Sequence, residues 1–159
     1  VGPETIEERF VTLTEAVDPG TLDSGINFDL IFVEHKKHVP FDRNGVTVTP
    51  FEVYHPSGAQ PHALRFDIEG KVVSFTGDTG WVEVLPEVSR DADLFICECF
   101  QYDHKMPMHL DYKTIDENYE RLLAKRVLLT HMGQEMLDAR SQVDLTRYAL
   151  AEDGMKIEL

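Results

Sequence analysis

Val72-Val73-Ser74-Phe75-Thr76-Gly77-Asp78-Thr79 is an apolar run of strand-forming residues that stops on a glycine and then presents a carboxylate. Two histidines converge on that carboxylate from other strand ends. His55 follows V-T-V-T-P-F-E-V-Y upstream, and His131 follows V-L-L-T downstream. Alone, an Asp after Gly is usually a turn residue or a helix cap, and a single His at a strand end is usually a loop residue. Here all three occupy the same topological place. In layered α/β folds the loops at one sheet edge collect reactive groups. Two neutral imidazoles and one carboxylate form a zinc-like donor set, and three protein ligands with positions left open suit a catalytic ion.

Outward from this stretch, strands are predicted at 63–68 and 71–76, joined by the hairpin turn Glu69-Gly70. Alternation of Val46, Val48, Phe51 and Val53 predicts a strand over 46–54, with a turn at 41–45 before it. D-L-F-I-C-E-C at 93–99 and R-V-L-L-T at 126–130 read as strands buried on both faces. Ile6, Phe10, Leu13 and Val17 recur at helical spacing, with Pro3 at the helix start and Glu4, Glu7 and Glu8 in the first turns. Further strands are expected at 28–33 and, as a closing edge, at 155–159. Helical stretches are expected at 82–89, broken near Pro86, at 112–125, at 134–139 and at 143–151. This alternation of elements predicts an α/β or α+β fold in a single domain.

The 159 residues include 15 basic against 29 acidic side chains, a net charge of −14. That balance disfavours generic binding to phosphate backbones or anionic membranes. No apolar run approaches the ~20 residues a membrane helix needs. Cys97 and Cys99 flank one residue and would share one strand face. They read as buried, reduced thiols of a cytoplasmic protein, since soft partners for a zinc site are not nearby.

The ordered series V-Y-H-P-S-G-A, F-T-G-D-T, C-E-C, M-H-L-D-Y and L-L-T-H-M-G resembles the C-terminal half of the metallo-β-lactamase-fold hydrolases. Within them it is most similar to the branch holding ribonuclease Z and related phosphodiesterases, and the opening V-G-P-E-T resembles that branch's G-P-x-G segment. The resemblance implies an αββα sandwich of which these residues are the second half. It implies that His55, Asp78 and His131 are metal ligands to two divalent ions, zinc or manganese, with Asp78 bridging them. It further implies that His109 protonates the leaving group and that Glu98 orients His109. A metal-activated water would then attack a phosphodiester or ester bond.

Two departures shape the functional expectation. The family's H-x-H-x-D-H motif is absent, because no His here has another His two positions away. That motif lies upstream of the G-P segment and supplies most of the ligands. The chain is therefore expected to be completed by a missing N-terminal half, or by a homo-oligomer partner. Standing alone, its sheet would expose an apolar face. Second, the stretch from His55 to Asp78 has room only for a hairpin, where long-type ribonuclease Z carries a substrate-gripping insertion. With the acidic charge, this points to a small phosphodiester or ester substrate rather than a nucleic acid. A transfer-RNA endonuclease and a non-catalytic half-domain acting as an interaction module are the alternatives. Of the remaining candidates, His62 reads as a structural strand residue and His104 as a solvated loop residue. His35 to His38 reads as a polar turn, Asp103 and Asp111 as surface charges, and Trp81 as either a pocket wall or core.

Overall fold

Strand alternation and hairpin turns build one mixed sheet, and three short helices of the same unit pack on one of its faces. A computed structural model describes residues 1–159. They divide into two compact units, Val1–Lys36 and Lys37–Leu159. No helix is long and apolar enough to cross a membrane.

In the first unit, helix α1 (Ile6–Val17) forms where the apolar spacing predicted it, with Glu7 and Glu8 in its first turn. Thr5 at its N-terminus is left-handed (φ 68°), and the Thr5 N–H donates to the Glu34 carboxylate at 2.7 Å. The strand expected at 28–33 does not form. Its only ladder contact is at its end, where Gly2 N–H donates to Val33 O (3.0 Å) and His35 N–H to Gly2 O (2.9 Å). An apolar run with no neighbouring strand has nothing to satisfy its backbone groups as a ladder.

The second unit holds seven strands in sequential order: β1 (Phe41–Arg43), β2 (Val46–Glu52), β3 (His62–Ile68), β4 (Lys71–Phe75), β5 (Leu94–Glu98), β6 (Val127–Thr130) and β7 (Tyr148–Leu150). β1 to β4 pair antiparallel, and β4 to β7 pair parallel. The expected turn at 41–45 is instead strand β1 and a tight reversal, with Asn44 and Gly45 both at positive φ. The region 143–151 is not helical. Tyr148 to Leu150 extend and pair with Val127 to Leu129, so the sheet edge lies there and not at 155–159. Three short helices complete the unit: α2 (Leu85–Ser89), α3 (Tyr112–Glu117) and α4 (Gln134–Ala139). Pro86 opens α2 rather than breaking it, since its missing N–H is harmless in a first turn. The amphipathic stretch 112–125 is helical only to Glu117, with a 3₁₀ turn at Tyr119–Arg121 after it.

The pleat divides the sheet into two apolar faces. On one, Phe51, Ala63, Phe95, Cys97, Val127, Leu129 and Tyr148 join Leu85 and Val88 of α2, Ile115 of α3 and Met136 of α4 in the core. A fully buried side chain such as Phe95 or Leu129 contributes about 1.5–3 kcal/mol. On the other face a cross-sheet row runs Pro50, Leu64, Phe75, Ile96, Leu128. A parallel row runs Val48, Phe66, Val73, Leu94. None of these residues joins the helix-side cluster; Val48, Pro50, Leu94 and Leu128 are buried, Leu64, Phe66, Val73 and Ile96 are half-buried, and Phe75 keeps 38% of its surface exposed.

Asp93, at the entry to β5, ties three segments together. Its carboxylate accepts from Val72 N–H (2.9 Å) and Lys125 Nζ (2.9 Å), while its own N–H donates to Val72 O (2.8 Å). The Val72 N–H and then Lys125 hold this carboxyl at about 2, well below its ordinary value. A depressed carboxylate stabilises the fold above the unfolded-state value of about 3.9, and that stability is lost as pH falls towards the folded value. Asp93→Asn should therefore lower the thermal midpoint at pH 6, and the gap to wild type should narrow between pH 4 and pH 2. Thermal melts across that range check it; a gap that does not depend on pH would rule out this linkage.

Candidate metal centre and acid–base pair

Topology brings the predicted residues to one edge. β4, β5 and β6 run parallel, so their C-terminal ends share that edge and deliver Asp78, Glu98 and His131 there. β2 is antiparallel to β3, which is antiparallel to β4, so β2 also points that way and delivers His55. His109 returns to the same edge in the loop after β5. Phe100 N–H donates to Leu110 O (2.9 Å) and Tyr112 N–H to Gln101 O (2.9 Å), folding the loop back along its own strand.

Donor atoms of Asp78, Glu98, His109 and His131 all lie within 4.8 Å of one another. His131 Nδ1 is 3.1 Å from Asp78 Oδ1 and 3.6 Å from Glu98 Oε2. His109 Nδ1 is 3.0 Å and 3.2 Å from the two Glu98 oxygens. His55 stands outside that group of four, with its ring edge-on to His109 at 5.2 Å between centroids. Asp78 and His131 are part-exposed, while the Glu98 side chain is only 1% exposed. Two imidazoles and two carboxylates at such separations fit a divalent ion of the borderline class.

Glu98 is buried, so its lone pairs must find partners. One oxygen accepts from Thr79 N–H, and both meet His109. Its own N–H donates to Thr76 Oγ1 (2.9 Å). Burial pushes the Glu98 carboxyl up to about 7, with the Asp78 charge adding to the rise, while the Thr79 N–H and His131 oppose it. Both cysteines are buried and unpaired, and burial raises both thiols.

The other candidates fall elsewhere. His62 is half-buried in β3, and burial lowers its basicity. His104 is an exposed loop residue whose N–H meets the Glu135 carboxylate at 3.4 Å. His38 lies edge-on to Phe51 at 5.1 Å. Trp81 packs partly against the core, with Arg121 over its ring at 5.5 Å. Asp103 is exposed, as expected. Asp111 is not a surface charge: it is 3% exposed and caps α3, accepting from Thr114 N–H (2.8 Å) and Oγ1 (2.7 Å). The spacing D-Y-K-T carries that cap in the sequence. Phe100 escaped the sequence reading, yet its ring lies against both His109 and His131. Nothing in the spacing of Phe100 from either histidine signals those contacts.

The family model of the beta-lactamase superfamily domain matches residues 6–132. An uncharacterized protein of Mycobacterium tuberculosis is 30% identical over 97 residues, 58% of this chain and 35% of that protein. The chain thus spans only 35% of the length of that curated relative. A diphosphatase from the PhnP family superposes with a TM-score of 0.70 at 18% identity, over 99% of this chain and 57% of that one. The short form of human tRNase Z superposes with a TM-score of 0.66 at 20% identity, over 99% of this chain and 66% of that one. At such identities the two structures share the fold with this chain.

Gly80 holds the His109 loop in register with the edge. A Cβ there would lie 2.2 Å from the carbonyl oxygen of Pro107, and Gly80 N–H donates to Tyr54 O at 3.0 Å. The obstacle is backbone, so relief requires the loop to move. Gly80→Ala should destabilise the fold by about 1–3 kcal/mol in urea unfolding. A variant as stable as wild type would show that the loop does not rest on Gly80.

Proposed function

The chain belongs to the β-lactamase superfamily, and on that footing we propose that it carries part of the active site of a metal-dependent hydrolase that opens phosphodiester or ester bonds. The carrying observation is the cluster of Asp78, Glu98, His109 and His131 at the sheet edge, with donor atoms within 4.8 Å of one another. His55, Asp78 and His131 would hold the metal; Asp78 and His131 belong to that cluster, and His55 stands beside it against His109. Imidazole and carboxylate donors favour zinc, with manganese as the other fit. Such ions, when bound, supply an activated water and stabilise the charge that develops on the substrate.

The chain's own residues do the rest. Glu98 accepts from Nδ1–H of His109 and orients the ring; in the imidazolium form Nε2–H then passes its proton to the leaving oxygen, which leaves the neutral Nδ1–H tautomer behind. The neighbours named a diphosphatase and a tRNase Z favour phosphorus over carbon as the centre attacked. The net charge of −14 and the short β3–β4 hairpin favour a small phosphodiester over transfer RNA. In the apolar row, exposed Phe75 and half-buried Leu64 and Ile96 support a further reading, that a second sheet covers this face. The remainder of a longer protein is the proposed source of that sheet and of the missing ligands, and a second copy of the chain is the alternative. Residues 1–159 alone should then bind a dye for exposed apolar surface; a monomer that binds none would count against it.

In the intact protein, a chelator should abolish hydrolysis of a bis-aryl phosphodiester. Asp78→Ala should lose both metal and turnover. His109→Ala should lower turnover by about 10²–10⁴-fold with metal content retained. Equal metal loss in both variants would refute the division of roles, and efficient cleavage of precursor transfer RNA would overturn the small-substrate reading.

A further inference from the structure

We propose that Phe100 is a positioning residue: its ring holds His109 and His131 at their working separation, and Gly133 provides the space it lies in. The proposal rests on the hydrolase reading for the roles of the two histidines, and on geometry for the rest.

Phe100 is the second residue past β5, and its backbone joins both histidine-bearing loops. Its N–H donates to Leu110 O (2.9 Å), next to His109, and its carbonyl accepts from Gly133 N–H (2.8 Å), two residues past His131. Cys99 N–H donates to Thr130 O (2.8 Å) on the same side. The ring then lies against both imidazoles. It stacks on His109 at 4.8 Å between centroids with 30° between planes, and it meets His131 at 5.2 Å and 43°. His109 and His131 are 5.3 Å apart, so the three rings touch pairwise.

A phenyl ring suits this task because it carries no donor or acceptor. It competes neither for a proton nor for a cation, yet it blocks rotation of the imidazole stacked on it. The contact of His109 Nδ1 with Glu98 fixes one atom but leaves the ring free to swing about that axis. Phe100 closes that freedom from the face, and His55 stands edge-on beside it. Gly133 is part of the device. A Cβ at that position would lie 2.7 Å from the Phe100 carbonyl oxygen and 3.2 Å from the ring carbon Cε2. A side chain there would push the ring towards the histidines or drive the two loops apart.

The test uses Phe100→Leu, Phe100→Tyr and Gly133→Ala in the intact protein. Phe100→Leu keeps apolar volume and removes the flat face. It should lower kcat about 10- to 100-fold, with KM and metal content near wild type, as expected for a misplaced proton donor. Phe100→Tyr should restore most of that loss, and Gly133→Ala should reproduce it. A second readout does not need turnover. In the metal-free protein with ¹³C-labelled histidine, the ring C–H signals of His109 and His131 should carry the ring-current shift of Phe100. They should lose it and broaden in Phe100→Leu, and keep it in Phe100→Tyr, while the His62 signal stays in place. Unmoved His109 and His131 signals in Phe100→Leu would overturn the proposal. So would equal loss in the Leu and Tyr variants, or a wild-type kcat with moved signals. If the intact protein hydrolyses nothing, the hydrolase reading fails, and the signals still decide whether Phe100 sets the two rings.

Discussion

The site depends on one buried carboxylate. Glu98 sits at the end of β5 with its side chain 1% exposed, where an unsatisfied charge is strongly unfavourable. Its partners come from three different segments: Thr79 N–H from the turn after β4, His109 from the returning loop, and His131 from the turn after β6. Because the carboxylate needs all of them, it holds the three turns to one spacing. The short strands alone would not, since all three partners lie beyond the strand ends. Thr76 Oγ1, accepting from Glu98 N–H, fixes the carboxylate from below. A polar network of this kind is stable when fully satisfied and specifies a single arrangement of its members.

The sheet around that network explains why the chain is apolar on both pleats. One face is filled by α2, α3 and α4, and Asp111 starts α3 by capping it from within the core. Arg65, in β3, serves the covered side by donating to the carbonyls of Val88 (3.2 Å) and Arg90 (2.6 Å) at the end of α2. The opposite rows have no helix of this unit among their core partners. Strands patterned like β5 and β6, apolar at successive positions, belong to sheets covered on both sides.

Much of this was legible in the sequence because the signals are local. Runs at 46–54, 71–76, 93–99 and 126–130 each end where a reactive side chain follows, and parallel exits bring such ends together. What was not legible depends on pairing across the chain. Residues 28–33 and 155–159 have strand composition but join no strand ladder. Tyr148 to Leu150 look helical in sequence and become a strand because β6 has an open edge beside them. Asp111 has the residue type of a surface charge, and only packing shows that it is a buried cap. Phe100 carries no sign of its two histidine contacts, which join residues far apart in sequence. The pairing of Glu98 with His109 was reached through resemblance, since nothing in their spacing alone brings the two together.

The turns that carry Asp78 and His131 share a constraint. Each must reverse the chain immediately after a strand, so that the side chain stays at the sheet edge and is not carried away. A left-handed residue does this in one step. Before Asp78 that residue is Gly77 (φ 61°), for which the conformation carries no steric penalty. After β6 the left-handed residue is His131 itself (φ 53°). A non-glycine residue there costs about 1–3 kcal/mol, and it persists only where surrounding contacts determine it. Those contacts are present: Asp78 and Glu98 at Nδ1, Phe100 against the ring, and Thr130 O and Gly133 N–H tied to the end of β5. Glycine would relieve the strain and remove the imidazole. That the strained position is occupied by the residue with the donor atom is the pattern expected where chemistry, and not stability, sets the side chain.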